Sequence, residues 1–189
     1  MKPVKAIFID RDGVINKDPD KWTQYNYVTD WKDFHFLPGA LEALKMLKDC
    51  GVKVIIISNQ AGVSKGYFTK ERLDEITVKM RAAVEAGGGK IDDVYYCIHK
   101  SDDNCECRKP KTGLLEKAAK KHAMDCRGIY FIGDSRVDII AGRSVGCKTI
   151  FVLSGKTLRD EMETWEEKPD HTFNNLLEAV QWIIKKEKY

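Results

Sequence analysis

The stretch Phe8-Ile9-Asp10-Arg11-Asp12-Gly13, "FIDRDG" (8–13), ends an apolar run that begins at Val4 and closes it with two acids one residue apart. "VKAIFI" (4–9) has the form of a buried strand. Carboxylates crowded at its end repel each other unless a cation or a reaction uses them. Four further short β-rich runs follow: "VKVIIIS" (52–58), "DVYYCI" (93–98), "IYFIG" (129–133) and "KTIFVL" (148–153). Helical patterns separate them. In 38–50, Leu41, Leu44 and Leu47 keep helical spacing and Gly51 stands as the terminating glycine. From Thr69 as N-cap, Leu73, Ile76, Met80 and Val84 form one stripe, Phe68 and Leu73 are placed as a hydrophobic staple, and Gly87-Gly88-Gly89 ends the helix. Segments 112–124, 135–145 and 175–187 carry three more. Strands covered on both faces and alternating with helices predict an α/β fold: a Rossmann-like three-layer sandwich around a central, mostly parallel sheet.

The 189 residues suit one domain, 1–189, with a sizeable core. Acids and bases are interleaved and the net charge is only +3, so no clustered basic face points to nucleic acid. The lysine-rich end "IIKKEKY" reads as the solvated last turn of a helix. No apolar run approaches the ~20 residues of a membrane span, and Asp10 interrupts the opening too soon for a signal peptide. A cytoplasmic protein without a membrane partner is expected. Its six cysteines then read as thiols or metal ligands rather than disulfides.

In open α/β sheets the ligand crevice lies outside the carboxyl ends of the strands. That rule selects Asp10, Arg11, Asp12 and Gly13 after the first strand, and Ser58, Asn59 and Gln60 at the second. It also selects Cys97 and His99 at the third, and Gly133 and Asp134 at the fourth. A lone aspartate after a strand is often only a turn former. Here "FIGDSRVD" adds Asp134, with Asp138 one helical turn further on. Several carboxylates converging on one edge suit Mg²⁺, which takes one or two carboxylates, waters and substrate phosphate. Ser58 and Lys109, the latter in "CRKPKTG", add a hydroxyl and a cation for a transferring phosphoryl group.

"CIHKSDDNCEC" (97–107) sets Cys97, His99, Cys105 and Cys107 in a C-x-H…C-x-C array. Three thiols and an imidazole within eleven residues fit a closed tetrahedral zinc site. With no open position the zinc is structural, shaping a loop that runs straight into Arg108 and Lys109. Cys50, Cys126 and Cys147 lack such neighbours and read as small apolar residues or surface thiols. His35 and His122 read as structural, and His171, in a "PDHTF" turn, has no partner visible in the sequence. Trp22, Tyr25 and Tyr27, within 17–36, suit the lining of a sugar pocket and the closing of the core equally. No large insertion follows the first or third strand, so no separate cap domain is expected.

Taken in order, "DRDG", "SNQ", the lysine of "RKP" and "GDSRVD" resemble the four motifs of the haloacid dehalogenase (HAD) superfamily of phosphatases, across residues 5 to about 153. The resemblance implies that Asp10 attacks phosphorus and carries an aspartyl-phosphate. It implies that Asp12, away from the metal and able to hold a proton, protonates the leaving oxygen and then activates water. Ser58 and Lys109 would hold the phosphoryl oxygens. Asp10, the backbone carbonyl at Asp12, and Asp134 would bind Mg²⁺. The zinc loop followed by "CRKP", together with "SNQAGVSKGYFT", resembles the branch that acts on heptose bisphosphates or histidinol phosphate. The five residues between His99 and Cys105 fit either substrate class. By the same resemblance Arg108 reaches the far end of the substrate, with Asn59 and Gln60 as further substrate contacts. The expected protein is a Mg²⁺-dependent phosphatase, monomeric, with a structural Zn²⁺ and a small phosphorylated metabolite as partner, foremost a heptose 1,7-bisphosphate. Histidinol phosphate is the rival substrate. A non-catalytic zinc module on a degenerate phosphatase fold is the rival of another class, and a DNA 3′-phosphatase lacks a basic track to support it.

Overall fold

The first strand sits at the centre of everything that follows. In the computed structural model, which describes residues 4–20 and 22–188, β1 (Ala6–Ile9) pairs on one side with β2 (Lys53–Asn59) and on the other with β4 (Tyr130–Gly133). β3 (Asp93–Cys97) flanks β2, while β5 (Lys148–Val152) and then β6 (His171–Phe173) extend the β4 side. The order is β3-β2-β1-β4-β5-β6 and every pairing is parallel, so the mostly parallel sheet expected from the sequence is wholly parallel.

Parallel neighbours need crossovers, and helices supply them. They are α1 (Ala40–Asp49), α2 (Lys70–Ala86), α3 (Gly113–Lys121), α4 (Arg136–Ser144), α5 (Arg159–Glu163) and α6 (Leu176–Glu187). Successive strand side chains point to opposite faces, so β1 feeds two cores. Ile7 and Ile9 join Leu44, Leu47, Ile56 and Ile183 in one, and Phe8 joins Ile55, Ile57, Leu115 and Phe131 in the other. A third cluster of Ile139, Phe151, Met162 and Trp165 anchors α5.

The helix signals act as expected. Thr69 Oγ1 accepts from Arg72 N at 3.2 Å to cap α2, with Phe68 and Leu73 both buried. Gly51, at φ +69°, lets Val52 N reach Leu47 O and Gly51 N reach Lys48 O, which closes the carboxyl end of α1. The helix of 112–124 is shorter than expected, because Ala123 turns to φ +50° just beyond it.

Two elements were not readable in advance. α5 is five residues long, and β6 is a half-buried edge of three. His171, expected in an unpartnered turn, begins β6 and packs at a tilt of 47° against Trp182 with centroids 4.1 Å apart. The outermost residues of the expected 1–189 unit, 1–3 and 189, lie outside the described residues.

The connection from β1 leads to the β2 side of the sheet, whereas β4 continues to the β5 side. A crevice therefore opens between the carboxyl ends of β1 and β4. Between β1 and α1 the described residues form only a three-residue 3-10 turn, Trp31–Asp33, and two isolated bridges.

Candidate active site

Asp10 leaves β1 at the floor of this crevice, its N–H donating to Ile132 O at 2.9 Å. Asp134 leaves β4 beside it, and Asp138 sits in the first turn of α4, where Ser135 N and Oγ donate to its Oδ2. Oxygens of Asp10, Asp134 and Asp138 all lie within 4.8 Å of one another. Lys109 Nζ is buried among them, 3.0 Å from Asp10 Oδ1 and 2.6 Å from Asp138 Oδ1, and it donates to Ile57 O at 2.8 Å.

Three carboxylates face one ammonium, a surplus of two negative charges in a buried place. Burial above all, opposed by Lys109 and reinforced by Asp138 and Asp12, pushes Asp10 up to about 6. Burial first, and then Asp138 and Asp10, push Asp134 well above the usual carboxylate range. An all-oxygen donor set with two uncompensated charges fits a hard divalent cation.

Asp134 is held by a cradle without side chains. A Cβ on Gly13 or on Gly155 would overlap the Asp134 carboxylate, and Gly13, at φ +79°, has the backbone shape glycine favours. Ser154 Oγ donates to Gly13 O at 2.7 Å, tying the segment after β5 to the segment after β1.

Asp12 turns away from this group. Its Oδ1 accepts from Arg11 Nε and NH2, at 3.3 and 3.0 Å, and from Asn16 Nδ2 at 2.8 Å. Its Oδ2 accepts from Arg11 NH2 at 2.9 Å and from Gln60 Nε2 at 2.7 Å. The Arg11 guanidinium is fully buried, near the rings of Phe34 and Tyr96 at 6.0 and 5.6 Å.

The expectation that Gln60 binds substrate is corrected here. It has no exposed surface, and its amide nitrogen is spent on Asp12 and, at 3.2 Å, on Ser58 Oγ. Asn59 lines the cavity, but its side-chain amide grips the Lys109 backbone from both ends. Nδ2 donates to Lys109 O and Oδ1 accepts from Lys109 N, each at 3.1 Å.

The cavity above these groups measures about 610 Å³. Asp10, Asp12, Ser58, Lys109 and Asp134 line it, while Arg108, Lys65 and Lys156, with Asp18 and Asp20, stand around it. Tyr25 and Tyr27 line it too, as part of an aromatic wall. Tyr25 stacks on Tyr67 at 4.6 Å, and Lys65 Nζ lies 5.4 Å from the Tyr27 ring centroid. Trp22 instead lines a neighbouring cavity of equal volume, with Asp30, Phe68 and Arg72, which none of the strand-end residues enters.

The strand-end rule selected Arg11 without giving it a role, and the sequence assigned none to Asn16, Lys65 or Lys156. Lys156 had a weaker signal, four residues beyond the end of β5, whereas Asp134 follows β4 directly. Arg11 had one as well, because a cation inside a strand-end turn needs a buried partner.

At the end of β3, the Sγ atoms of Cys97, Cys105 and Cys107 and the Nδ1 of His99 gather within 4.8 Å of one another. Sulfur–sulfur separations of 3.2–3.6 Å and sulfur–nitrogen separations of 3.1 and 3.7 Å are near the ~3.8 Å edge of a tetrahedron with ~2.3 Å metal–sulfur bonds. Arg108 follows directly and points NH1 at His99 O, at 3.4 Å.

Residues 106–179 match the HAD-hydrolase-like family model. Along nearly its whole length the chain is similar to D-glycero-beta-D-manno-heptose-1,7-bisphosphate 7-phosphatases. It is 35% identical to that of Neisseria meningitidis, covering 96% of both chains, and 34% identical to that of Helicobacter pylori strain J99, covering 95% and 97%. The crystal structure of D,D-heptose 1,7-bisphosphate phosphatase from B. bronchiseptica, complexed with magnesium and phosphate, superposes with a TM-score of 0.88 at 30% identity, covering 98% and 99%.

A methyl group on Gly155 has no space except that of the Asp134 carboxylate. Gly155→Ala is expected to weaken Mg²⁺ binding about tenfold or more, read by calorimetric titration, while leaving the Cys97–Cys107 cluster intact. Unchanged affinity would exclude Asp134 from the cation site.

Proposed function

The chain belongs to the HAD-like hydrolase family that includes the D-glycero-beta-D-manno-heptose-1,7-bisphosphate 7-phosphatases, and on that footing we propose that it is a Mg²⁺-dependent phosphatase removing the 7-phosphate of D-glycero-D-manno-heptose 1,7-bisphosphate. The observation that carries the reading is Asp10 on the cavity floor, 3.0 Å from Lys109 and beside the Asp134 and Asp138 carboxylates.

In this reading an Asp10 oxygen attacks phosphorus and the bond from phosphorus to the sugar oxygen breaks. Asp12 gives that oxygen a proton, leaving an aspartyl-phosphate. Water then attacks phosphorus, Asp12 takes its proton, the bond to Asp10 breaks and inorganic phosphate departs. Ser58 Oγ and Lys109 Nζ hold the non-bridging oxygens. Asp10, the carbonyl of Asp12, and Asp134 would hold Mg²⁺, which supplies the positive charge that the buried acids and the phosphoryl oxygens lack. Both aspartate oxygens of residue 12 accept hydrogen bonds, so one donor must give way whenever that carboxyl carries the proton.

The mixed charge around the cavity supports a phosphorylated sugar as substrate. Asp18 and Asp20 can accept from hydroxyls, and Arg108, Lys65 and Lys156 suit a second phosphate. A cationic amine such as histidinol's gains nothing from those three bases. Cys97, His99, Cys105 and Cys107 would hold a structural Zn²⁺ that fixes the Arg108–Lys109 segment. We assign the whole chain, residues 1–189, to one domain acting as a cytoplasmic monomer. Among the described residues no helix is long and apolar enough to cross a membrane.

Purified protein with Mg²⁺ should release one phosphate from heptose 1,7-bisphosphate and leave the 1-phosphate, as read by phosphorus NMR. Asp10→Asn, with folding verified by circular dichroism, should show no turnover. Substantial residual activity in that variant would sink the aspartyl-phosphate mechanism.

Protein purified without chelator is expected to contain one zinc per chain by elemental analysis. Cys107→Ser should lose it and weaken substrate use, with Mg²⁺ binding retained. Protein active at full rate without stoichiometric zinc would refute the structural site.

Arg108→Ala should lower catalytic efficiency on the heptose bisphosphate roughly tenfold to a hundredfold, because a charge-assisted contact to the distal phosphate disappears. p-Nitrophenyl phosphate, which has no distal phosphate, should lose far less, whereas Lys109→Ala should harm both. Equal losses for Arg108→Ala on the two substrates would remove its distal role.

A further inference from the structure

Three polar side chains with no exposed surface converge on the Asp12 carboxyl: Arg11, Asn16 and Gln60. Each leaves one polar atom without a hydrogen-bond partner among the described protein groups: Arg11 NH1, Asn16 Oδ1 and Gln60 Oε1. Burying such atoms costs stability, and an apolar trio of the same volume would not incur the cost. The donors therefore converge for some reason other than stability. What they do is fix a single carboxyl, at both of its oxygens, at the rim of the cavity that Asp12 lines.

The fixing is directional. Arg11 is held by its neighbours, between the rings of Phe34 and Tyr96, and its guanidinium meets Asp12 through Nε and NH2. Gln60 comes from the loop after β2 and Asn16 from the turn after β1, so Asp12 is braced from two elements. Without the brace, a free carboxylate two residues from Asp10 could swing toward the divalent cation site. There it would become one more ligand for the metal.

We infer that Arg11 and Gln60 are positioning residues that keep the Asp12 carboxyl off the cation site and aimed at the oxygen leaving phosphorus. The inference rests on the proposed role of Asp12 as proton carrier. Its distinctive mark is leaving-group dependence. A poorly aimed acid slows the expulsion of a basic leaving group but hardly slows one that departs unaided.

The experiment compares phenyl phosphate with p-nitrophenyl phosphate, substrates of similar shape whose leaving groups differ in basicity. Catalytic efficiency, which reports steps only through phosphoryl transfer, is measured for Asp12→Ala, Arg11→Met and Gln60→Met. Gln60→Met is close in shape and buries no new polar atom, so it serves if Arg11→Met does not fold. Both positioning variants should lose about tenfold or more on phenyl phosphate and less than about threefold on p-nitrophenyl phosphate. In an Asp12→Ala background neither should cause a further loss. Proportional losses on both substrates, or full additivity with Asp12→Ala, would overturn the inference while leaving the role of Asp12 standing. Equal losses on both substrates in Asp12→Ala itself would remove the proton carrier, and the positioning role with it.

Discussion

The structure is organised around an uncompensated charge. Asp10, Asp134 and Asp138 are buried together with Lys109 as their sole ammonium among the described residues. A buried carboxylate without a partner costs several kcal/mol, so such a cluster persists only where its one cation cannot drift away. Lys109 lies on a loop rather than in a helix or strand, and the fold tethers it twice. Asn59 grips its backbone, and the cysteine-rich loop ends one residue before Arg108. The glycines at 13 and 155 do the same for Asp134 by leaving it one place to be.

The two neighbouring acids of the first strand end are kept apart by separate counter-charges. Lys109 faces Asp10 and Arg11 faces Asp12. Acids one residue apart would ordinarily couple strongly. Here the backbone turn after β1 sends one carboxyl into the cation group and the other into a cage of donors. Their chemical difference comes from their surroundings, to which Lys109 and Gln60 come from distant parts of the chain, since the residues themselves are identical.

That distance also marks the boundary of what could be read from the sequence. Strand ends, the Thr69 cap, the Gly51 stop and the cysteine array are local patterns, and each was legible because its partners lie within a few residues. The strand-end rule then gathered Asp10, Asp12, Ser58 and Asp134 at one edge without any knowledge of pairing. The long-range partners of Gln60 and Asn59, Asp12 and Lys109, were not legible because they lie 48 and 50 residues away. β6 escaped because a half-buried edge of three residues has no apolar run, and its place is set by Trp182 on α6.

The two clusters of residues that could hold a metal ion differ sharply in how far the chain must travel to complete them. The thiol and imidazole atoms come from residues at most ten positions apart, whereas the carboxylate group needs β4 to dock against β1, more than a hundred residues away. During synthesis, the cysteine loop has all its parts outside the ribosome as soon as residue 107 emerges, before Asp134 has emerged. Local closure is fast and long-range parallel pairing is slow. A nascent chain can therefore bring its thiols and imidazole together first, and Asp10 meets Asp134 and Asp138 only when β4 has joined the sheet beside β1.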